Sequence, residues 1–157
     1  MKATRKAGRA VIRLTATTFY HSTEDPDKVK TALLNVLFNG GSVDAEISES
    51  VVEGHYGNRI GILTCVIEGK KAEDVFRRIV CSMNNVDRNI LKATLPNRVG
   101  VRPSHMHIRL SKQDAYLGRI VLLDGDDVIK VSVTVNGVRK VSELQEYLDG
   151  IIEGCRK

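Results

Sequence analysis

Three short stretches carry side chains whose types and spacing could do chemistry. His105-Met106-His107 places two imidazoles two residues apart, which in an extended chain puts them on one face. Two such histidines can share a metal ion, but a site takes a third or fourth ligand and the surrounding sequence names none. The plain alternative is a polar outer strand face that continues into Arg109. Asp124-Gly125-Asp126-Asp127 clusters carboxylates as a divalent cation would need. Asp-Gly between two strand-like runs is also a hairpin-turn signal, because glycine accepts positive φ, and the turn is the reading preferred here. The spacing does not match an EF-hand loop. The third stretch, Gly54-His55-Tyr56-Gly57-Asn58, lies between two apolar runs. Its glycines could let backbone approach a phosphate while Tyr56 offers a stacking ring, or they could serve only a tight turn. Composition leaves both readings open.

No nucleophile elbow, phosphate-binding Walker loop or His-Glu-x-x-His pattern is present. A metal-dependent hydrolase built on His105, His107 and the Asp126-Asp127 pair therefore lacks a complete ligand set. The expectation is a protein without catalytic residues, bound metal or cofactor. Lys and Arg together number 24 against 19 Asp and Glu, and this excess of +5 fits a polyanionic partner. The basic residues are scattered rather than clustered: Lys70-Lys71, Arg77-Arg78, Arg98, Arg102, Lys112 and Arg119. With aromatics at 4% and no tryptophan, contact with a nucleic acid should rest mainly on phosphates and shape.

The elements that must position these residues follow from periodicity. The 157 residues, 42% of them hydrophobic and 27% charged, suit one folded domain over 9–157, preceded by a flexible basic arm, Met1 to Gly8. No apolar run approaches the about 20 residues needed to span a bilayer, and the basic N-terminus lacks the apolar core of a secretory signal. Cys65, Cys81 and Cys155 are far apart and sit in apolar patterns, which predicts free core thiols in a reducing cytoplasm.

From Arg9 to Tyr20, Ala10, Ile12, Leu14 and Ala16 alternate with Val11, Arg13, Thr15 and Thr17 and predict a strand. Asp25-Pro26 opens a helix that buries Val29, Leu33, Val36 and Leu37 and stops at Asn39-Gly40-Gly41. Val43 to Val52 reads as a second strand. Arg59 to Glu68, almost continuously apolar, reads as a third strand buried on both faces. A second helix buries Ala72, Val75, Phe76, Ile79, Val80 and Met83, and a short one runs from Val86 to Ala93. Pro96 to Pro103 is expected to be a loop. Ser104 to Ser111 is a strand with Met106, Ile108 and Leu110 inward, and Lys112 to Leu117 is a helical turn. Arg119 to Leu123 and Val128 to Asn136 form a hairpin through the Asp-rich turn, and a last helix starts near Ser142. This order predicts an α+β fold: a mainly antiparallel sheet with helices packed on one face.

Several segments in this order resemble an archaeal family of RNA-binding proteins or exosome subunits. They are HSTEDPDKVKTALLNVL (from His21), EGHYGNRI (from Glu53), EGKKAEDVFRRI (from Glu68), SKQDAYLG (from Ser111) and DGDDVIKVSV (from Asp124). The resemblance covers about Val11 to Val135. Its most specific parts are Gly54 to Asn58 and Lys112-Gln113-Asp114-Ala115-Tyr116-Leu117-Gly118. The family is similar in fold to the large-subunit ribosomal protein that binds 5S rRNA. The resemblance implies an antiparallel sheet covered by helices and a cytoplasmic, non-catalytic accessory role in RNA processing or degradation. RNA would be the partner, with exosome proteins beside it. The basic tail and the loop from Asn97 to Ser104 depart from the family pattern. RNA contacts are expected at His55 and Asn58 by hydrogen bonds and at Tyr56 by stacking. Lys112, Tyr116 and Arg119 form a second group, with Lys112 and Arg119 holding phosphates. The rival expectation is a protein-docking subunit of a larger assembly.

Overall fold

The computed structural model describes residues 8–39, 46–54 and 56–155. The basic arm up to residue 7, the helix-stop glycines Gly40 and Gly41, the segment Val43 to Ala45 and His55 lie outside the described residues. The elements run β1 (Ala10–His21), α1 (Pro26–Phe38), β2 (Ile47–Glu53), β3 (Arg59–Glu68), α2 (Lys70–Ser82), α3 (Asn85–Ala93), β4 (His105–Ser111), α4 (Lys112–Tyr116), β5 (Val128–Asn136) and α5 (Val141–Gly154). The strands form one antiparallel sheet in the order β2-β3-β1-β5-β4, giving the α+β class expected from the element order.

Local chemistry sets many boundaries. Asp25 caps α1 by accepting from the Asp27 N–H, Pro26 fills the first turn, and Asn39 closes the helix at φ 53°. Asn84 caps α3 in the same way, and Ser111 caps α4 by accepting from the Asp114 N–H. β2 and β3 pair from Ile47↔Cys65 to Glu53↔Arg59, which leaves residues 54–58 as the connecting loop.

The chain divides into two compact units, and β1, β4 and β5 each pass from one into the other. The first unit comprises residues 8–14, Glu68–His107 and 132–155. Its core gathers Ala72, Phe76, Ile79 and Val80 of α2 with Leu91, Val133, Val135, Leu144 and Leu148. Here the alternation of β1 departs from expectation: Val11 is buried while Ile12 and Arg13 both face out. Two consecutive outward residues break the two-residue period of a strand. The Val11 N–H donates to Glu73 Oε1 at 2.6 Å. Glu73, buried in the first turn of α2, also accepts from the Tyr147 hydroxyl and from Arg77 Nε at 2.7 Å. A carboxylate so enclosed is tolerated because three donors meet it.

Burial, and then the hydrogen bond to Glu73, push the Tyr147 phenol above its ordinary value. Its stabilising contribution is therefore complete below about pH 10, the unfolded tyrosine value, and is lost as pH rises through the higher folded value. An ultraviolet titration should show a tyrosine ionising later than the bulk. That component should vanish in Tyr147→Phe; its persistence there would contradict the assignment.

The cysteines also depart from expectation. Cys81 and Cys155 form a disulfide with a Cα–Cα distance of 5.3 Å, and Cys65 alone is a free, buried thiol. The two are 74 residues apart in sequence, so their meeting depends on α2 packing against α5. The inference of a reducing compartment from unpaired thiols loses its support. Arg98, expected on a loop, is buried at the end of a 3-10 turn, Leu95–Arg98, and its Nε donates to Thr94 Oγ1 at 2.9 Å.

The second unit comprises Thr15–Ile67 and Ile108–Val131, with α1 and α4 packed together. Leu14 aside, β1 now alternates cleanly: Ala16 and Thr18 inward, Thr17 and Phe19 outward. β3 has the expected bounds but is buried on one face only. Leu63, Cys65 and Ile67 point in, while Ile60, Ile62 and Thr64 are half-exposed and Val66 is exposed. Two of the strand's outward residues, Ile60 and Ile62, line a cleft. Gly61 of β3 lies under the Tyr20 ring, whose atoms would stand 2.0–2.6 Å from any added Cβ. Tyr20 in turn donates its phenol to Glu49 of β2, which Lys30 of α1 also holds at 3.2 Å.

Arg119 to Leu123 does not form the expected hairpin strand. It lies along β4, with Leu122 bridging Leu110 and the Leu123 N–H reaching the Arg109 carbonyl at 3.0 Å. Asp124 to Asp127 therefore carries the chain from the outer side of β4 to the start of β5 and is not a hairpin turn.

Candidate nucleic-acid interface

The second unit holds the candidate site, and its centre is Lys112. The capped α4 begins at the end of β4, so the Lys112 side chain is drawn inward and only 8% exposed. Its ammonium donates to the Phe19 carbonyl at 2.7 Å and pairs with Glu24 at 3.1 Å and Asp127 at 3.0 Å. Burial alone would raise the Asp127 carboxyl. Hydrogen bonds from Lys112 and Gln113 outweigh it and hold the group below its ordinary value. The cation expected to hold a phosphate is thus met inside the protein by two carboxylates and a carbonyl.

This triad forms a wall shared by two clefts. One, of about 690 Å³, is lined by Phe19, His21, Val52, Ile60, Ile62 and Asp126 beside the triad. Phe19 is 49% exposed, on the outward face of β1. The other, of about 270 Å³, is lined by Lys28, Val29, Ala32, Gln113, Tyr116 and Leu117 beside the same triad. Tyr116 is 42% exposed, with the Lys28 ammonium 5.9 Å from its ring centroid, a cation–π distance. Asn35 of α1 fixes this end of α4 by donating to the Ala115 and Tyr116 carbonyls at 3.0 and 3.3 Å.

Arg119 remains largely exposed and reaches Asp114 with Nη2 at 3.1 Å. The Ser111 hydroxyl first, then Arg119, lower the Asp114 carboxyl. The loop from Gly54 to Asn58 closes through the Gly54 N–H to the Asn58 carbonyl, with Gly57 at φ 79°. These are the features of a tight turn. The tip still projects: Tyr56 is 88% exposed and Asn58 is exposed. It starts directly beyond the Val52↔Ile60 and Glu53↔Arg59 pairs, and Val52 and Ile60 line the first cleft.

Of the expected residues, the structure brings Lys112 and Tyr116 together, places Arg119 just after α4 and sets Tyr56 and Asn58 at the hairpin tip. His55 lies outside the described residues. Sequence reasoning missed Phe19 and Glu24, and read Asp127 only as part of a turn or of a metal-binding pair. Phe19 carried a signal: an aromatic among Thr15 and Thr17 on the polar side of β1. Glu24 carried none, being 88 residues from Lys112. On β4, His105, His107 and Arg109 face outward, and His105 Nδ1 lies 3.0 Å from Ser104 Oγ. Among the described residues no three His, Cys, Asp or Glu side chains gather as a cation site. No helix among them is long and apolar enough to cross a membrane.

Comparisons with known proteins bear on this geometry. A family model described as RNA binding matches residues 13–135. The chain is 37% identical over 133 residues to the uncharacterized protein MJ0213 of Methanocaldococcus jannaschii, covering 79% of this chain and 88% of that one. It is 30% identical over 142 residues to RNA-binding protein PAB1135 of Pyrococcus abyssi, covering 85% and 90%. Among solved structures, protein AF2318 from Archaeglobus fulgidus has a TM-score of 0.73 at 26% identity, covering 90% of this chain and 99% of that one. Protein SSO0741 from Sulfolobus solfataricus, at 24% identity and a TM-score of 0.74, covers 90% and 98% and shares the fold. With the RNA-binding model spanning most of its length, and relatives matched nearly end to end, the chain belongs to this RNA-binding family.

Proposed function

We propose that the chain binds single-stranded RNA through its second unit, as a non-catalytic, cytoplasmic accessory in RNA processing or degradation that works beside the exosome. The observation carrying the RNA path is the pair of half-exposed rings, Phe19 and Tyr116, each in its own cleft on either side of the Lys112 wall. Successive unstacked bases settle on such rings, and each stacked base contributes about 1–3 kcal/mol. Tyr56 extends the row at the hairpin tip, with Asn58 and its sequence neighbour His55 as the hydrogen-bonding groups. Lys28 and Arg119 meet phosphates from the rim, and Lys112 holds the Phe19 carbonyl and the two carboxylates of the shared wall in place.

A titration of labelled single-stranded RNA tests this. Phe19→Ala and Tyr116→Ala should each weaken binding about 5- to 150-fold, the loss of one stacked base. With about 4–6 phosphates neutralised, log K should fall against log salt with a slope of about −3 to −4. Unchanged affinity in both folded variants, or a flat salt response, would overturn the proposal. Co-purification with exosome proteins that persists after nuclease treatment would support the accessory role, and its loss would count against it.

A further inference from the structure

The larger cleft differs from a phosphate site in a way that points to one kind of base. Its floor is apolar, from Phe19, Val52, Ile60 and Ile62, and its polar rim is acidic. The lysine in it is already held by Glu24 and Asp127. Asp127 is fully engaged, with Oδ1 on Lys112 and Oδ2 accepting from Gln113 at 3.2 Å. Glu24 accepts from Lys112 and from the His21 N–H at 2.9 Å. Asp126 is exposed on the same rim and makes no ion pair or hydrogen bond among the described residues. Apart from His21, the rim offers a phosphate only carboxylates.

We infer that this cleft takes an unpaired guanine, its ring on Phe19 and its Watson–Crick edge on the Asp126 carboxylate. The inference rests on the RNA-binding reading above and narrows it. A carboxylate accepts, and guanine alone among the four bases presents two adjacent donors, N1–H and the N2 amino group, to its two oxygens. Adenine and cytosine offer one amino group beside a ring-nitrogen acceptor, which a carboxylate repels. Uracil flanks its single N–H with two carbonyls. The cleft volume of about 690 Å³ lies within the about 300–1,000 Å³ usual for small-ligand sites, ample for one nucleoside. The purine's larger ring also covers more of the exposed phenyl face. Guanine is neutral, so the acidic rim does not repel it, whereas its phosphates are led outward.

The test compares a ten-nucleotide oligouridine with the same oligomer carrying one central guanosine or one central inosine, at low salt. One guanosine should tighten binding on the order of tenfold or more, the discrimination of a bidentate base contact. Inosine, which lacks the N2 amino group, should forfeit most of that gain. Asp126→Asn should bring the guanosine-to-uridine affinity ratio close to one. Equal binding of all three oligomers by the wild type, or a ratio that Asp126→Asn leaves intact, would overturn the guanine assignment while RNA binding stands. Absence of binding to every oligomer would overturn both.

Discussion

Full reduction of the Cys81–Cys155 disulfide should lower the melting temperature by about 10–15 °C. The bond closes a chain segment of 74 residues, and removing so long a loop constraint from the unfolded state costs about 4 kcal/mol on the chain-entropy relation. At this chain length each kcal/mol moves the midpoint by about 2–4 °C. The bond ties the end of α2 to the end of α5, where Arg88 of α3 already donates to the Cys81 carbonyl at 2.7 Å. Thermal melts with and without reductant check this, and thiol counts on denatured protein confirm the state. One reactive thiol, from Cys65, marks the oxidised form and three mark the reduced form. Cys81→Ser should melt with the reduced protein and ignore reductant. Equal melting of verified oxidised and reduced protein would show that the crosslink contributes nothing.

Lys112→Met should destabilise the second unit by about 2–3 kcal/mol while retaining the packing of the side-chain stem. Removing one partner of a buried pair costs about 3–5 kcal/mol, and the access of water to Glu24 and Asp127 reduces that here. The Phe19 carbonyl also loses its donor. The pH dependence gives a second readout. Because Asp127 is held below its ordinary value, its contribution is complete above about pH 4, where the unfolded carboxylate titrates, and is lost as pH falls through the lower folded value. The wild-type stability curve should descend over that acid window, and the Met variant's should be flatter there. A Met variant as stable as wild type, with the same acid limb, would show that the triad does not anchor the cleft wall. RNA affinity should fall with it, since Phe19 and both clefts rest on that wall.

What the sequence made legible was what neighbouring residues decide. Asp25-Pro26 starts α1 because a side-chain cap and a ring without an N–H act within one turn. Met106, Ile108 and Leu110 alternate inward on β4 because side-chain direction in a strand is a local property. The misreadings depended on distant partners. Val11 rather than Ile12 points inward where Glu73, on another element, takes the Val11 N–H, a partner that the residues around Val11 do not reveal. Cys81 finds Cys155 only once two helices have packed. The apolar run of β3 read as burial on two faces, since hydrophobicity alone cannot separate a covered residue from one lining a cleft. The candidate site divided along the same line. Tyr116 and the hairpin tip stood out as motifs, while the pairing that gives Lys112 its role joins residues 88 positions apart.

The contact between Tyr20 and Gly61 has a reach beyond its own side of the sheet. Phe19 and Tyr20 are consecutive, as are Ile60 and Gly61, so each strand carries one residue toward the helices and its neighbour toward the cleft. A ring seated where only hydrogen fits admits one alignment of β1 against β3, and a slip by one residue would invert every side chain along the slipped strand. The hidden pair thereby acts as a keyway for the exposed one. Enlarging Gly61 would be felt as a misaligned phenyl on the opposite surface, although the altered atom never meets RNA.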